Sequence, residues 1–484
     1  YDLPIPGQNI SIPNFFKKSG LTAVFDRLKD LNTSEVNFQS RLIQGLFFSR
    51  CLTHNNLDLW KQELNPPQTF DLSMIRDIAV KHFELIKHTA ITDKKGNSDW
   101  LGLSLGQDGE KLTFGPIDDS LYGGKSGIAL LEIQLTPSHK TPTYSNNIFR
   151  SLYRVCQDNN SPWLMRWWRD QHLGLSGCAG ILMTLKTISD HNFEYDIRLI
   201  ITRLIEHLDI SIIERDLHLD IMCGSAGLIG VLLDIGSDKS VHLATSIGDK
   251  LVSTQLANGG WNNLLLSNKS SAVPLLGFVH GCSGYAASLG TLGHYLDTPR
   301  YYDAAQLALE YESNAFRHSI NNWPNLRKGI DSNSVKNSRC HGAAGIALGR
   351  LCLYGTPLWD QQIINEIETA LNACIDNGVL QVDNLCTGNL GVLTIIDSAI
   401  RHECSTISFK ADNILKWKKF SNEVVQCVIN RMLQQNGYRM GDSSWFSSEV
   451  SPGYLLGSSG IALGLLDHLN QSGLTKRMLA AYLL

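Results

Sequence analysis

One tetrapeptide pattern constrains this chain more than anything else in it. Gly-x-x-Gly, followed directly by a short apolar segment, occurs seven times, starting at Gly124, Gly177, Gly224, Gly281, Gly342, Gly388 and Gly457. Successive first glycines are 46 to 69 residues apart. A single such motif carries no information. Seven, each leading into a segment such as Ile128-Ala129-Leu130-Leu131, mark an internal repeat. Glycine allows positive φ and close backbone approach, so each motif reads as a tight entry into a helix. The helix that follows is apolar on most faces, which predicts burial.

Between the motifs lie amphipathic segments. Tyr195 to Leu208 places Ile197, Ile200, Ile201, Leu204, Ile205 and Leu208 on one helical stripe, and Tyr302 to Phe316 is a second case. Strand signals are scarce. The pattern predicts an all-α fold: seven helical pairs, inner buried and outer amphipathic, closed into a double-layered α/α toroid. The glycine loops should then gather at one end, around the axis. An open solenoid would leave its inner helices exposed, so closure is the expectation. Residues 1–110 precede the repeats and read as an N-terminal helical extension, helical from Glu35 to Cys51 and loop-like from Thr92 to Gly109. Residues 111–484 form the ring.

Composition narrows the function. Apolar residues make up 43% and charged residues 18% of 484, with a formal net charge of −4, a globular balance. No Lys/Arg cluster alternates with aromatics, which argues against a nucleic-acid surface. No apolar run approaches the ~20 residues of a membrane span. Eleven cysteines, an odd number, behind the polar opening Tyr1-Asp2-Leu3-Pro4 argue for a reducing cytoplasm over a disulfide framework.

Reactive side chains stand beside the motif glycines. His280 precedes Gly281, Cys340-His341 precedes Gly342, Cys386-Thr387 precedes Gly388, and Asp220 lies four residues before Gly224. If the loops converge, so do these groups. A cysteine near a helix N-terminus has a lowered thiolate pKa, and two thiolates plus an imidazole would make a catalytic zinc site with an open fourth position. The plainer readings are a small buried hydrophobe for each cysteine, preferred for Cys178, Cys282, Cys352, Cys374 and Cys427, and a hydrogen-bonded core histidine for His280.

The segments Leu121-Tyr122-Gly123-Gly124, Asp220-Ile221-Met222-Cys223-Gly224, Gly277-Phe278-Val279-His280-Gly281, Asn322-Trp323-Pro324-Asn325-Leu326-Arg327, Cys340-His341-Gly342-Ala343, Leu385-Cys386-Thr387-Gly388-Asn389-Leu390-Gly391 and Pro452-Gly453-Tyr454-Leu455-Leu456-Gly457 resemble the lanthionine synthetase C-like family over roughly residues 110–470. The chain is most similar to the cyclase domain of class II lanthipeptide synthetases, and Gln39 to Thr53 is similar to the helix that links dehydratase and cyclase there. The resemblance implies an α/α toroid with a central zinc ion, Cys340 and Cys386 as ligands, His280 in proton transfer and Asp220 as its helper. The third ligand usually follows the second cysteine, as histidine or cysteine. Here Thr387 stands there, and Arg339 replaces the tryptophan usual before the first cysteine.

A threonine hydroxyl is a poor zinc ligand. His341 or Cys282 could complete the site, two thiolates and water could hold the ion, or the metal could be missing and the domain impaired. The expectation carried forward is a bound zinc. The implied reaction is a Michael-type addition of a peptide cysteine thiol to dehydroalanine or dehydrobutyrine. His280 protonates the α-carbon, Asp220 orients it, and His341 stabilises the enolate oxygen. The implied partners are a dehydrated precursor peptide with its leader and a dehydratase, fused or separate. The alternative is a catalytically impaired domain that holds peptide as a scaffold.

Overall fold

The computed structural model describes residues 3–4, 11–13, 15, 17–29, 31–51, 74–105, 112–262, 273–327, 334–401, 408–435, 437–439 and 451–470. Its helices in chain order are α1 Gly20–Lys29, α2 Thr33–Cys51, α3 Met74–His88, α4 Ser126–Leu135, α5 Thr143–Cys156, α6 Pro162–Arg169, α7 Cys178–Ile188, α8 Ile197–His207 and α9 Ile210–Arg215. There follow α10 Ala226–Ile235, α11 Asp238–Thr254, α12 Cys282–Leu296, α13 Pro299–Asn314, α14 Ala343–Leu351, α15 Gln361–Asp376, α16 Asn389–Arg401, α17 Ala411–Gln435 and α18 Ser458–Asn470.

Each glycine motif opens one of the helices α4, α7, α10, α12, α14, α16 and α18. These inner helices are buried on every side: in α12, Cys282 through Gly293 are all buried, and in α10, Ala226 through Leu233. The helices between them bury one stripe only, Ile197, Ile200, Ile201, Leu204 and Ile205 in α8 and Ile363, Ile364, Ile367, Ala370 and Leu371 in α15. Inner helices pack each on the next, and α18 packs back on α4, which closes the ring. Outer helices back the inner helix before them, α5 on α4 and α13 on α12. The last inner helix is backed instead by α3, from before the repeats, and α3 also touches α4.

The glycines serve close approach more than positive φ. Of the motif glycines only Gly342 has φ in the left-handed region, +78°, where a Cβ would fall on the carbonyl of Lys336. At the others a side chain would strike the backbone of its own or the adjoining loop, as at Gly224 against Leu219 and Asp220.

The stretch from Thr92, expected as loop, is different. Ile91–Thr92 pairs with Ser98–Asp99, and Leu101–Leu105 with Leu112–Pro116, both antiparallel. Asp93 turns the first hairpin, its Oδ1 accepting from the N–H groups of Lys95 and Asn97, while Gly96 takes φ +78°. The Asp and Gly content marked tight turns, and the strands are too short for a period-2 signal. Residues 106–109 of that stretch, and 52–53 of the expected linker helix, lie outside the described residues.

Candidate active site

The loops before the inner helices are stitched to one another through their backbones. Leu175 N–H donates to Ile221 O at 3.0 Å, Val279 N–H to Cys340 O at 3.3 Å, Cys340 N–H to Cys386 O at 3.2 Å, Cys386 N–H to Leu455 O at 2.9 Å and Leu455 N–H to Tyr122 O at 2.9 Å. Distant segments therefore meet at one end of the ring. Within a loop, the side chain four residues before the first glycine accepts the N–H three residues on. Asp220 Oδ1 takes Cys223 N–H at 2.7 Å, Asn384 Oδ1 takes Thr387 N–H at 2.8 Å, and Ser338 Oγ takes His341 N–H at 3.2 Å. These side-chain-closed turns pre-form the loops.

His280 and Asp220 are brought together across 60 positions. His280 Nδ1 lies 2.7 Å from Asp220 Oδ2, with side-chain exposures of 18% and 1%. Asp220 can only accept there, so His280 donates from Nδ1 and keeps Nε2 for chemistry. The residue before Asp220, Leu219, has φ +61°, a costly conformation for leucine stored beside the dyad. A buried ion pair fixes the His280 loop from behind. Glu312 of α13 accepts the Gly277 N–H at 2.6 Å, bonds Ser283 and pairs with Arg350 of α14, both side chains fully buried.

His341 stacks on His280, ring centroids 5.6 Å apart and 15° between planes. Arg327 reaches its ring edge and donates to whichever ring nitrogen carries the lone pair. Burial, then the charges of Arg327, His280 and Lys336, hold its pKa well below the ordinary value, so the ring is neutral.

Cys340 and Cys386 also meet, both buried, their thiols in a mutual hydrogen bond. That bond is the largest cause holding Cys386 below the ordinary thiol range. The Tyr122 hydroxyl, 3.7 Å from its sulfur, adds to it. Burial pushes Cys340 up. Every described cysteine side chain is a free thiol.

None of Thr387, Cys282 and His341 joins the pair as a third ligand. Thr387 is exposed, with its N–H and hydroxyl on Asn384 Oδ1. Cys282 lies fully buried in α12 beside Glu312 and Arg350, its thiol raised by burial. His341 is engaged by Arg327. Among the described residues no three His, Cys, Asp or Glu side chains are grouped as a metal would require. The donor set thus falls one soft ligand short of a three-ligand catalytic zinc site. It does not fit the zinc centre expected from the sequence, and no step below runs through a metal.

Tyr122 and Arg327 also belong to the site, one against Cys386 and the other against His341. Tyr122 was legible: it stands two residues before Gly124, as Cys340 does before Gly342 and Cys386 before Gly388, and these are the three that touch. His280 belongs to the next register, one residue before its glycine, together with His341, Thr387, Cys223 and Ser176.

A closed ring of buried inner and amphipathic outer helices, with reactive loops at one end, defines an α/α toroid. The sequence profile of the lanthionine synthetase C-like protein family matches residues 115–479, and the chain belongs to that family. Among solved structures it is similar to nisin cyclase at TM-score 0.57 and 18% identity, covering 75% of this chain and 92% of that one, a likeness of fold. A possible member of the GH105 family from Salmonella enterica reaches only 0.42 at 12% identity, covering 84% of this chain and 96% of that one, too distant to inform function. No curated protein matches the chain. No helix among the described residues is long and apolar enough to cross a membrane.

Proposed function

We propose that the chain is a lanthipeptide cyclase, closing thioether rings by adding a peptide cysteine to dehydroalanine or dehydrobutyrine in the same peptide. The observation that carries this reading is the His280–Asp220 pair, assembled from two repeats at 2.7 Å with Nε2 of His280 left for substrate. Membership of the family supports it.

When sulfur bonds to the β-carbon, negative charge develops on the α-carbon and its carbonyl oxygen. His280, as imidazolium, delivers its Nε2 proton to the α-carbon, and Asp220 holds the ring's orientation and offsets its charge. Neutral His341, stacked beside it, donates an N–H to the enolate oxygen, with Arg327 occupying its other nitrogen. An assembled dyad favours catalysis over the scaffold reading, for which nothing at His280 would be needed. The substrate of this reaction is a dehydrated precursor peptide, supplied by a dehydratase. The dehydratase is expected either fused to this chain or separate.

Ring closure leaves the peptide's mass unchanged but removes one alkylatable thiol. A dehydrated peptide incubated with the chain should lose its thiol, and His280→Ala should slow that loss by about 10²-fold or more. Equal rates for wild type and variant would defeat the reading.

A further inference from the structure

A cavity of about 750 Å³ opens among the loops before α4, α7 and α10. It shares walls with the reaction centre. Tyr122, whose hydroxyl meets Cys386, lines it, as does Cys223, whose N–H holds Asp220. No step of the proposed mechanism uses this cavity, and one step still lacks an agent. A cysteine thiol must lose its proton to attack, and among the described residues no third ligand joins the Cys340–Cys386 pair with which a metal would do that work.

His172 lines the cavity from the segment before α7. Its Nδ1 lies 2.9 Å from Ser176 Oγ. The Ser176 hydroxyl is itself a donor, to the Met222 carbonyl at 2.8 Å, with Cys223 Sγ at 3.7 Å. Ser176 can therefore only accept from the imidazole, which fixes the proton on Nδ1 and leaves the Nε2 lone pair free. Ser176 and Cys223 continue the contact to Asp220 and so to His280.

The charged groups around His172 come from each wall. Arg169 and Asp170 share its own segment, and Asp118 and Lys125 face it from the loop before α4. From the loop before α10 come Asp216, Asp220 and His218, whose ring packs edge-on at 5.4 Å and whose Nδ1 is buried without a partner. Burial, then the neighbouring His218, keeps His172 below its ordinary pKa despite the three carboxylates, so it is a neutral base at pH 7.

We propose that this cavity admits the cysteine-bearing segment of the peptide and that His172 is the general base that activates its thiol. The assignment rests on the cyclase reading above. The thiol S–H breaks as its proton passes to His172 Nε2, and the sulfur electron pair forms the C–S bond to the β-carbon. The C=C pair moves onto the α-carbon and carbonyl oxygen, and His280 returns a proton to the α-carbon. Product and reactant are isomers. The proton held by His172 passes back to His280 through solvent between turnovers.

The test uses two synthetic peptides that carry one dehydroalanine and either cysteine or selenocysteine. A selenol is already ionised at neutral pH and needs no base. His172→Gln should lower the closure rate of the cysteine peptide by about 10²-fold or more and leave the selenocysteine peptide near the wild-type rate. Ser176→Ala, which keeps the imidazole but frees its tautomer, should show the same selectivity, more weakly. His280→Ala should slow both peptides. Equal losses on both peptides for His172→Gln and Ser176→Ala, or no loss on either, would overturn the base assignment. A wild-type chain that accelerates neither peptide would overturn the cyclase reading itself.

Discussion

Cys340, Cys386 and Tyr122 show how much of the site a register can reveal. Each stands two residues before a motif glycine, a register shared with Leu175, Met222, Val279 and Leu455, and these three side chains meet. The cysteines were legible because thiols attract attention. Tyr122 shares that register, but its side chain gives no chemical signal of a site. Arg327 had no such signal, since it belongs to no glycine register. It reaches His341 because the segment after α13 folds back, bridging Pro324 to Val335. At Thr387 the sequence showed a missing donor but not what would replace it, and among the described residues the structure groups no third ligand with the pair. Thr387→His places an imidazole at that exposed position. Purified alongside wild type, the variant should retain more zinc per chain by metal analysis; equal retention would mean that position 387 does not face the thiols.

Helices were legible where periodicity reports burial. All-round apolar runs gave the inner helices, and the stripe from Ile197 to Ile205 gave α8. What periodicity cannot see is a charge buried on purpose. Glu312 reads as part of the polar face of α13, yet it is fully buried, accepting the Gly277 N–H and pairing with Arg350 across to α14. It ties α13 to α14, the helix that follows the Cys340-His341 loop. Removing one member strands the other without its charge partner, although Glu366 also pairs with Arg350 at 2.9 Å. Glu312→Ala should therefore cost about 3–5 kcal/mol of stability in urea unfolding, and a loss within about 0.5 kcal/mol, as at an ordinary surface site, would contradict the positioning role. The short hairpins between Ile91 and Pro116 escaped for the opposite reason: strands of two to five residues carry too few alternations to register.

At the scale of the molecule, closure is the consequence of a repeat that cannot end. Each inner helix buries its flanks on two neighbours, and α18 finds its second neighbour in α4 and its backing in α3. That last contact could not be read from the repeats, because α3 lies outside them and shares no motif. Closure is also what brings the candidate site residues together. Asp220 and His280 come from adjoining repeats, while Cys340, Cys386 and Tyr122 join the two ends of the chain around the axis. In the proposed reaction, a site built this way would hold its proton donor on one face of the substrate. Ring closure run in D₂O on a dehydrated peptide, with the thioether products resolved by diastereomer, tests that most directly. Wild type should deliver one deuterium per ring to the α-carbon and yield a single diastereomer, while His280→Ala should give the mixture formed without enzyme. The same mixture from both would contradict a fixed donor at His280, and with it the account of the site.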